Sequence, residues 1–208
     1  MNFLFHMILS GDDDQLLVGN FMGDFVKGRL ENRFRPRIRQ GVQLHRSIDS
    51  YGDRHPVYRS SRKLLGEEYG LYRGVMLDLF YDYFLVNNWS SWSDEPFDDY
   101  LVRTRAVMES HRDDLPEEMH RLLPIIFDEL LTSYATIDGI GNALCRLSRR
   151  ISRPNPLNGS QSELARNHAL LEEHFHQLTP ELFRFCAEII SSGDQQPAMP
   201  TAEKERIA

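Results

Sequence analysis

A nearly continuous apolar segment in the first half of the chain places the strongest constraint on the fold. Between positions 75 and 86 every residue is apolar, aromatic or small except Asp78 and Asp82. The surrounding segment has helical composition, and a helix that is apolar on nearly all sides is buried within its domain. We therefore predict a buried helix over residues 71–89.

The two aspartates of this helix predict a metal site. Asp78 and Asp82 are four residues apart, so they share one helix face. Burying two carboxylates is costly unless they are paired or bind a metal ion. An ion pair with an arginine is the alternative, because buried charges do occur when they are paired.

The other segments also have helical character. Apolar side chains recur with helical spacing in residues 97–112, 125–134 and 138–152, whereas no alternating strand pattern exceeds a few residues. The sequence therefore predicts an all-α, single-domain helical bundle over residues 1–190, followed by a polar, flexible tail over residues 191–208.

Two boundaries within this bundle can be predicted. Residues 29–40 form a basic connection, after which the next helix begins at Gly41. Residues 162–190 form one long helix or two, with a break at Pro180, because proline removes a helical hydrogen bond.

Composition narrows the class of protein. The chain has 208 residues, of which 41% are hydrophobic and 26% are charged, as in one ordinary globular domain. A net charge of −7 argues against nucleic-acid binding, and no apolar run is long enough to span a membrane. The first residues lack the features of a signal peptide, and Cys145 and Cys186 are solitary. A reducing, cytoplasmic compartment is the simplest expectation.

A second polar pair lies in the segment GVQLHRSIDSYGD, which begins at Gly41. His45 and Asp49 are one helical turn apart and border the apolar stripe of Leu44 and Ile48. A histidine and a carboxylate with this spacing can share a metal ion. A helix start with a surface ion pair is the alternative interpretation.

Two further candidate ligands lie in the first predicted helices. His6 lies in a short apolar helix, where a hydrogen-bonded core histidine is the alternative. Asp24 lies near the end of the next helix, where it could instead pair with Lys27. That helix also contains Gly19 and Gly23, whose spacing allows another helix to approach closely.

Six histidines and aspartates in the first 90 residues thus form one candidate metal site. They are His6, Asp24, His45, Asp49, Asp78 and Asp82. Imidazoles and carboxylates without thiols suit Mn²⁺, Mg²⁺ or Fe²⁺ at least as well as Zn²⁺. Such a site activates water and polarises a phosphoryl oxygen, so we predict hydrolysis of a phosphate ester.

Basic residues cluster in one segment of this acidic protein. Between positions 27 and 46 the single acidic residue is Glu31. The basic residues are Lys27, Arg29, Arg33, Arg35, Arg37, Arg39 and Arg46. They predict an anionic partner or a phosphate-bearing substrate, with Arg46 near the phosphate, and a solvated loop is the alternative.

Several motifs, in the same order and spacing, resemble the bacterial acyl carrier protein phosphodiesterases. The matching residues are MNFL-x-H at 1–6, Gly19-Asn20-x-x-x-Asp24-Phe25-Val26-x-Gly28, Gly41-x-x-x-His45-Arg46-x-Ile48-Asp49, Asp53-x-His55-Pro56, Asp78-x-x-Tyr81-Asp82-x-Phe84-Leu85 and Asn88-Trp89-Ser90. The resemblance implies hydrolysis, with Mn²⁺, of the phosphodiester that joins 4′-phosphopantetheine to a serine of acyl carrier protein. That family is similar to the HD-type metal-dependent phosphohydrolases, which implies the same helical bundle here.

The resemblance also implies residue roles. The catalytic residues that it implies are Asp24, His45, Arg46, Asp49 and Asp78. The resemblance supports Asp24, His45, Asp49 and Asp78 as metal-site residues, with His6 and Asp82 near them and Arg46 as a phosphate contact. One position departs from the family pattern, because Tyr83 stands where the family has histidine. Tyrosine does not act as a base near neutral pH as histidine does, so a catalytic histidine there would be missing.

Three functions are compatible with these observations. The first is a metal-dependent phosphodiesterase that converts holo-acyl carrier protein to the apo form, with the basic segment steering the acidic carrier protein. The second is a phosphohydrolase of the same fold that acts on a nucleotide or another small phosphate ester. The third is a non-enzymatic helical module that binds a partner through the basic segment.

Overall fold

The computed structural model describes residues 1–194 with the exception of Asn32. Nine α-helices make up most of this part of the chain, several of them joined by 3-10 or π-helical turns, and no β-strand occurs in it. The helices are α1 (Phe3–Ile8), α2 (Asp14–Phe21), α3 (Pro36–Arg54), α4 (Pro56–Leu64), α5 (Arg73–Asn87), α6 (Phe97–Ser110), α7 (Glu117–Ile125), α8 (Ile137–Arg150) and α9 (Gln161–Asp194). The prediction of an all-α bundle is confirmed.

Helix α5 lies at the centre of the bundle. It packs against α1, α4, α8 and α9, and the side chains of Leu77, Phe80 and Phe84 are fully buried. This position explains the apolar sequence of residues 75–86, because a helix enclosed by others has no face on which polar residues meet water. The predicted buried helix is confirmed over Arg73–Asn87, whereas Leu71 belongs to the preceding 3-10 segment and is exposed.

Helices α2 and α3 cross at two glycines. Gly19 of α2 faces Gly41 of α3, and a side-chain carbon on either residue would overlap a backbone carbonyl of the other helix. The close approach predicted at Gly19 is therefore confirmed. Gly23 makes room for the ring of His45 in the same way. The crossing brings together the polar residues that both helices contribute to the candidate site.

Two predicted boundaries differ from the structure. Helix α3 begins at Pro36 and not at Gly41, because proline suits the first turn of a helix, where its missing N–H donor is not required. Helix α9 continues through Pro180, which removes one hydrogen bond without ending the helix. The departure from helical geometry in α9 lies instead at Asn167, with φ −108° and ψ 15°.

The end of α9 overlaps the predicted tail. The helix ends at Asp194, so it extends past position 190, where the tail is predicted to begin. Residues 195–208 lie outside the described residues. Within the described range, no helix combines the length and the apolar character that crossing a membrane requires.

Candidate metal centre

Two histidines and one aspartate converge between α1 and α3. His6 comes from α1, and His45 and Asp49 come from successive turns of α3. His6 Nε2 lies 3.2 Å from Asp49 Oδ1, and His45 Nε2 lies 3.3 Å from Asp49 Oδ2. The two imidazole rings stack with their centroids 3.8 Å apart. The three residues, called the ligand group below, offer ligand atoms within 4.8 Å of one another and could hold one metal ion.

Asn20 of α2 fixes the orientation and the tautomer of both rings. Its amide nitrogen donates to the carbonyl oxygen of His6 (2.6 Å) and to Ser10 Oγ (2.9 Å). Its Oδ1 therefore accepts the 2.9 Å hydrogen bond from His6 Nδ1, and its backbone carbonyl accepts one from His45 Nδ1 at 2.8 Å. With a proton on each Nδ1, the neutral rings present Nε2 lone pairs towards Asp49.

The donor set of the ligand group fits a divalent cation. His6 Nε2 is buried and has no hydrogen-bond partner of acceptable geometry, although it lies close to Asp49. Two imidazole nitrogens and one carboxylate are ligands that suit Mn²⁺, Fe²⁺ and Zn²⁺. The Asp49 side chain is 40% exposed, so the group opens to solvent on one side and leaves room for substrate or water.

The members of the ligand group shift one another's pKa values. Burial lowers the pKa of His45, but hydrogen bonds to Asp24 and Asp49 outweigh it and raise that pKa to about 9. Burial and the charge of His45 lower the pKa of His6 to about 4. Burial raises the pKa of Asp49, whereas the close contacts with His45 and His6 and the charge of the Met1 amino group hold it below its usual range. A proton on His45 thus balances the Asp49 carboxylate, and a bound cation would take over that role.

Asp24 lies on the solvent side of the ligand group. It belongs to the 3-10 turn Gly23–Phe25 after α2, and its Oδ1 is 3.4 Å from His45 Nε2. The hydrogen bond with His45 lowers the pKa of Asp24, whose side chain is 62% exposed. Asp24 is therefore an ionised carboxylate that a substrate at the ligand group would meet first.

Asp78 lies beside the ligand group, next to Met1. It accepts a hydrogen bond from the Tyr58 hydroxyl, and the amino group of Met1 lies between Asp78 Oδ1 (3.3 Å) and Asp49 Oδ1 (3.0 Å). Burial raises the pKa of Asp78. Asp78 is thus linked to the ligand group through Met1 and is not one of its three members.

The structure does not bring Asp82 to the ligand group. Its carboxylate accepts hydrogen bonds from the backbone N–H groups of Leu4 (3.2 Å) and Phe5 (3.0 Å) and from Asn2 Nδ2 (2.9 Å). Leu4 and Phe5 lie in the first turn of α1, whose N–H groups have no partner within the helix. The prediction that Asp82 is a metal ligand is therefore corrected, because its carboxylate binds the start of α1 and Asn2 instead. Burial raises the pKa of Asp82 to about 7 in spite of these donors.

Arg46 supports the loop that follows Asp24. Its Nη2 donates to the carbonyl oxygens of Val26 and Gly28, both at 3.0 Å. This contact holds the start of the basic segment against α3. A phosphate contact by Arg46 stays a prediction.

Tyr83 faces away from the ligand group. Its hydroxyl lies 3.2 Å from His168 Nε2, and its ring packs edge-on against His168 and Phe84. Because its partner His168 belongs to α9, tyrosine at this position does not remove a ligand from the group. The departure from the family pattern therefore lies outside the candidate centre.

The basic segment keeps accessible cations near Asp24. Its exposed basic residues include Lys27, Arg29, Arg33 and Arg35. Arg33 donates to the carbonyl oxygens of Lys27 and Arg29, and Arg35 lies 3.7 Å from Asp114. The backbone of the segment is thus held in place while most of its charges face solvent.

Two clefts meet beside the ligand group. The larger, of about 680 Å³, has mainly apolar walls that include Phe3 and Phe25. The smaller, of about 320 Å³, is more polar and includes Arg62. Asp24 and Asp78 line both clefts. A substrate bound at the ligand group can therefore extend in two directions.

The sequence interpretation misses three contributors to this site. Asn20 was visible only as a polar neighbour of Asp24 with helical spacing, and its place in the Gly19-Asn20 motif was the available signal. Tyr58 and the amino group of Met1 carry no sequence pattern that indicates a role beside Asp78.

Comparison with known proteins gives one consistent family. A family model described as acyl carrier protein phosphodiesterase matches residues 1–182. A relative of that name from Escherichia coli O157:H7 is 32% identical over 184 residues, covering 88% of this chain and 95% of the relative. Relatives of the same name from Photorhabdus laumondii and Pectobacterium atrosepticum are 30% and 28% identical, over 86% and 94% of this chain and 92% and 99% of their own. No solved structure matches the chain, so the HD-type similarity stays a prediction.

Proposed function

The chain belongs to the acyl carrier protein phosphodiesterase family, and from this premise we propose how its site acts. The reaction is hydrolysis of the phosphodiester between 4′-phosphopantetheine and a serine of holo-acyl carrier protein, which yields the apo form. The reaction uses a divalent cation, Mn²⁺ in preference to Mg²⁺ or Fe²⁺, held by His6 Nε2, His45 Nε2 and Asp49. The convergence of these ligand atoms within 4.8 Å, at the meeting point of two clefts, is the observation that supports the proposal.

The residues around the cation have separate tasks. A bound divalent cation supplies Lewis acidity towards a phosphoryl oxygen and an activated water. Asn20 accepts hydrogen bonds from both Nδ1 atoms, so that the neutral rings would direct their Nε2 lone pairs at the cation. Asp24 stays ionised and borders the position of the phosphate, where it can orient the attacking water.

The two clefts match the two substituents of the phosphodiester. The larger cleft begins at Asp24 and Asp78 and would hold the pantetheine arm against its apolar walls. The smaller, more polar cleft would face the serine side of the substrate. A phosphate at the ligand group would thus have room on both sides of the bond that is cleaved.

The basic segment supports a protein substrate of acidic character. Its exposed cations, Lys27, Arg29 and Arg35, lie on the loop that follows Asp24 and would steer the carrier protein to the site. Changing all three to Glu should raise KM for holo-acyl carrier protein at least tenfold at low salt and leave cleavage of a small phosphodiester unchanged. Equal losses on both substrates would contradict this steering role.

Direct turnover tests the proposed function. Purified protein is incubated with Mn²⁺ and holo-acyl carrier protein, and intact-mass spectrometry follows the loss of phosphopantetheine. We expect conversion to the apo form, which chelator stops and added Mn²⁺ restores. If holo-acyl carrier protein stays intact while a generic phosphodiester is cleaved, the proposal that acyl carrier protein is the substrate is wrong. A cytoplasmic location belongs to the same proposal and is consistent with the free thiols of Cys145 and Cys186.

A further inference from the structure

Three arginines of α8 line the larger cleft together with its apolar walls. Leu122, Ile126 and Leu147 belong to those walls. The cationic lining consists of Arg146, Arg149 and Arg150, which are exposed and lie in the last two turns of α8. The cleft therefore combines an apolar interior with a cationic rim. The pantetheine arm is uncharged beyond its phosphate, so binding of this arm does not explain the cationic rim.

The arginines differ in how they are paired. Arg146 forms an ion pair with Glu129, and Arg150 has a longer contact of 3.6 Å with Glu118. Arg149 forms no ion pair with any other described residue. The end of α8 favours cations through the helix dipole, but this does not explain why they line an apolar cleft. Arg149 is the cation that a ligand carboxylate could bind without displacing a protein carboxylate.

We propose that this cleft binds the anion of a single-chain fatty acid. The carboxylate lies at Arg149 and the alkyl chain lies along the apolar walls, because each end of such a molecule then meets its preferred surroundings. A molecule in this position occupies the space of the substrate arm and competes with holo-acyl carrier protein. The competition rests on the proposed function, whereas the binding does not.

Binding is tested without reference to activity. Dodecanoate, below the concentration at which it forms micelles, is titrated into the full chain by calorimetry, with dodecan-1-ol as the uncharged match. We expect one site per chain and at least tenfold weaker binding of the alcohol. Arg149→Glu should weaken the binding of dodecanoate at least tenfold. Arg184→Glu is the matched control, because it reverses an exposed charge on α9 outside the cleft lining, and it should not change the affinity for dodecanoate. Equal affinity of acid and alcohol, or of wild type and Arg149→Glu, would overturn the proposal.

A second variant tests the apolar walls and guards against misfolding. Leu147→Gln keeps the cations and should weaken the binding of dodecanoate and of dodecan-1-ol by similar factors. Circular dichroism should show that Arg149→Glu and Leu147→Gln are both folded.

Turnover assays test the competition. Dodecanoate should raise KM for holo-acyl carrier protein and leave kcat unchanged, and a fall in kcat alone would contradict competition. If Arg149→Glu raises KM without changing dodecanoate affinity, the arginines serve the carrier protein and the fatty-acid site is refuted. If no turnover occurs at all, the proposed function fails while the calorimetry still decides the binding site.

Discussion

The polar pairs of α3 and α5 have the same spacing and different roles. His45 and Asp49 of α3 face His6 and form the ligand group. Of the second pair, one turn apart on α5, Asp82 accepts hydrogen bonds from the start of α1, whereas Asp78 shares the Met1 amino group with Asp49. What lies opposite each pair decides the role, because a carboxylate that faces N–H donors is already satisfied. Asp49 faces two imidazole nitrogens as well as the Met1 amino group, so a cation or a proton at those nitrogens can share its charge.

The largest expected difference between the two pairs is in activity. Asp49→Ala removes the carboxylate shared by both histidines and should lower kcat/KM for holo-acyl carrier protein about a thousandfold or more. Asp82→Asn should stay within about threefold of wild type, because its carboxylate contacts α1 and not the substrate. Steady-state assays at a temperature where both variants are folded make the comparison. Similar losses in the two variants would show that Asp82 acts in the reaction.

For the free energy of unfolding we expect the reverse order, with the larger loss at Asp82 and the smaller at Asp49. Asp82→Ala leaves the N–H donors of Leu4, Phe5 and Asn2 without their acceptor in a buried place. We expect it to lower the free energy of unfolding by about 2–4 kcal/mol. Asp49→Ala removes one partner of the Met1 amino group and of both histidines, but Asp78 still pairs with Met1, so we expect a smaller loss of about 1–2 kcal/mol. Urea unfolding measures both values, and a larger loss in Asp49→Ala would reverse the assignment.

The pKa of Asp82 also makes the free energy of unfolding depend on pH. The pKa of Asp82 is about 7 in the folded chain and near 3.8 when unfolded, so the folded state binds the additional proton between these values. Its contribution to stability is complete below pH 3.8 and is lost as the pH rises through 7, by up to about 1.4 kcal/mol per pH unit. The difference in unfolding free energy between wild type and Asp82→Asn, measured from pH 4.5 to 7.5, should follow this slope. A pH-independent difference would contradict it.

The helices and part of the site could be predicted from the sequence, whereas the different roles of Asp78 and Asp82 could not. The helices follow from local apolar periodicity, and so does the burial of α5, because both depend on neighbouring residues. His6, His45 and Asp49 were predicted because their residue types stand beside apolar stripes. The separation of Asp78 from Asp82 depends on where α1 begins in space, and no spacing within α5 contains that information.

The role of Asn20 was equally hidden from the sequence. Its amide binds His6 and Ser10 in one direction, and its carbonyl binds His45 in another. The contact with His45 depends on Gly19, which lets α2 approach α3 closely. A residue whose function arises from a helix crossing cannot be identified from the pattern of its own helix alone.

The smallest expected effect concerns the residue that departs from the family pattern. Tyr83→His introduces the histidine that the resemblance implies at a position that contacts α9, so it should change kcat/KM by no more than about twofold. Tyr83→Phe, which removes only the hydroxyl near His168, is the matched control. A tenfold rise in activity or in Mn²⁺ affinity with Tyr83→His would place this position in the site.

The cation itself gives the most direct test of the central claim, that His6, His45 and Asp49 form the metal centre. Equilibrium dialysis of the chelator-treated full chain against Mn²⁺, followed by elemental mass spectrometry, measures the bound metal. We predict one Mn²⁺ per chain in wild type and in Asp82→Asn, and none at the same free Mn²⁺ concentration in His45→Ala or Asp49→Ala, with all variants folded by circular dichroism. Full Mn²⁺ binding by folded Asp49→Ala, or loss of Mn²⁺ from Asp82→Asn alone, would contradict the account.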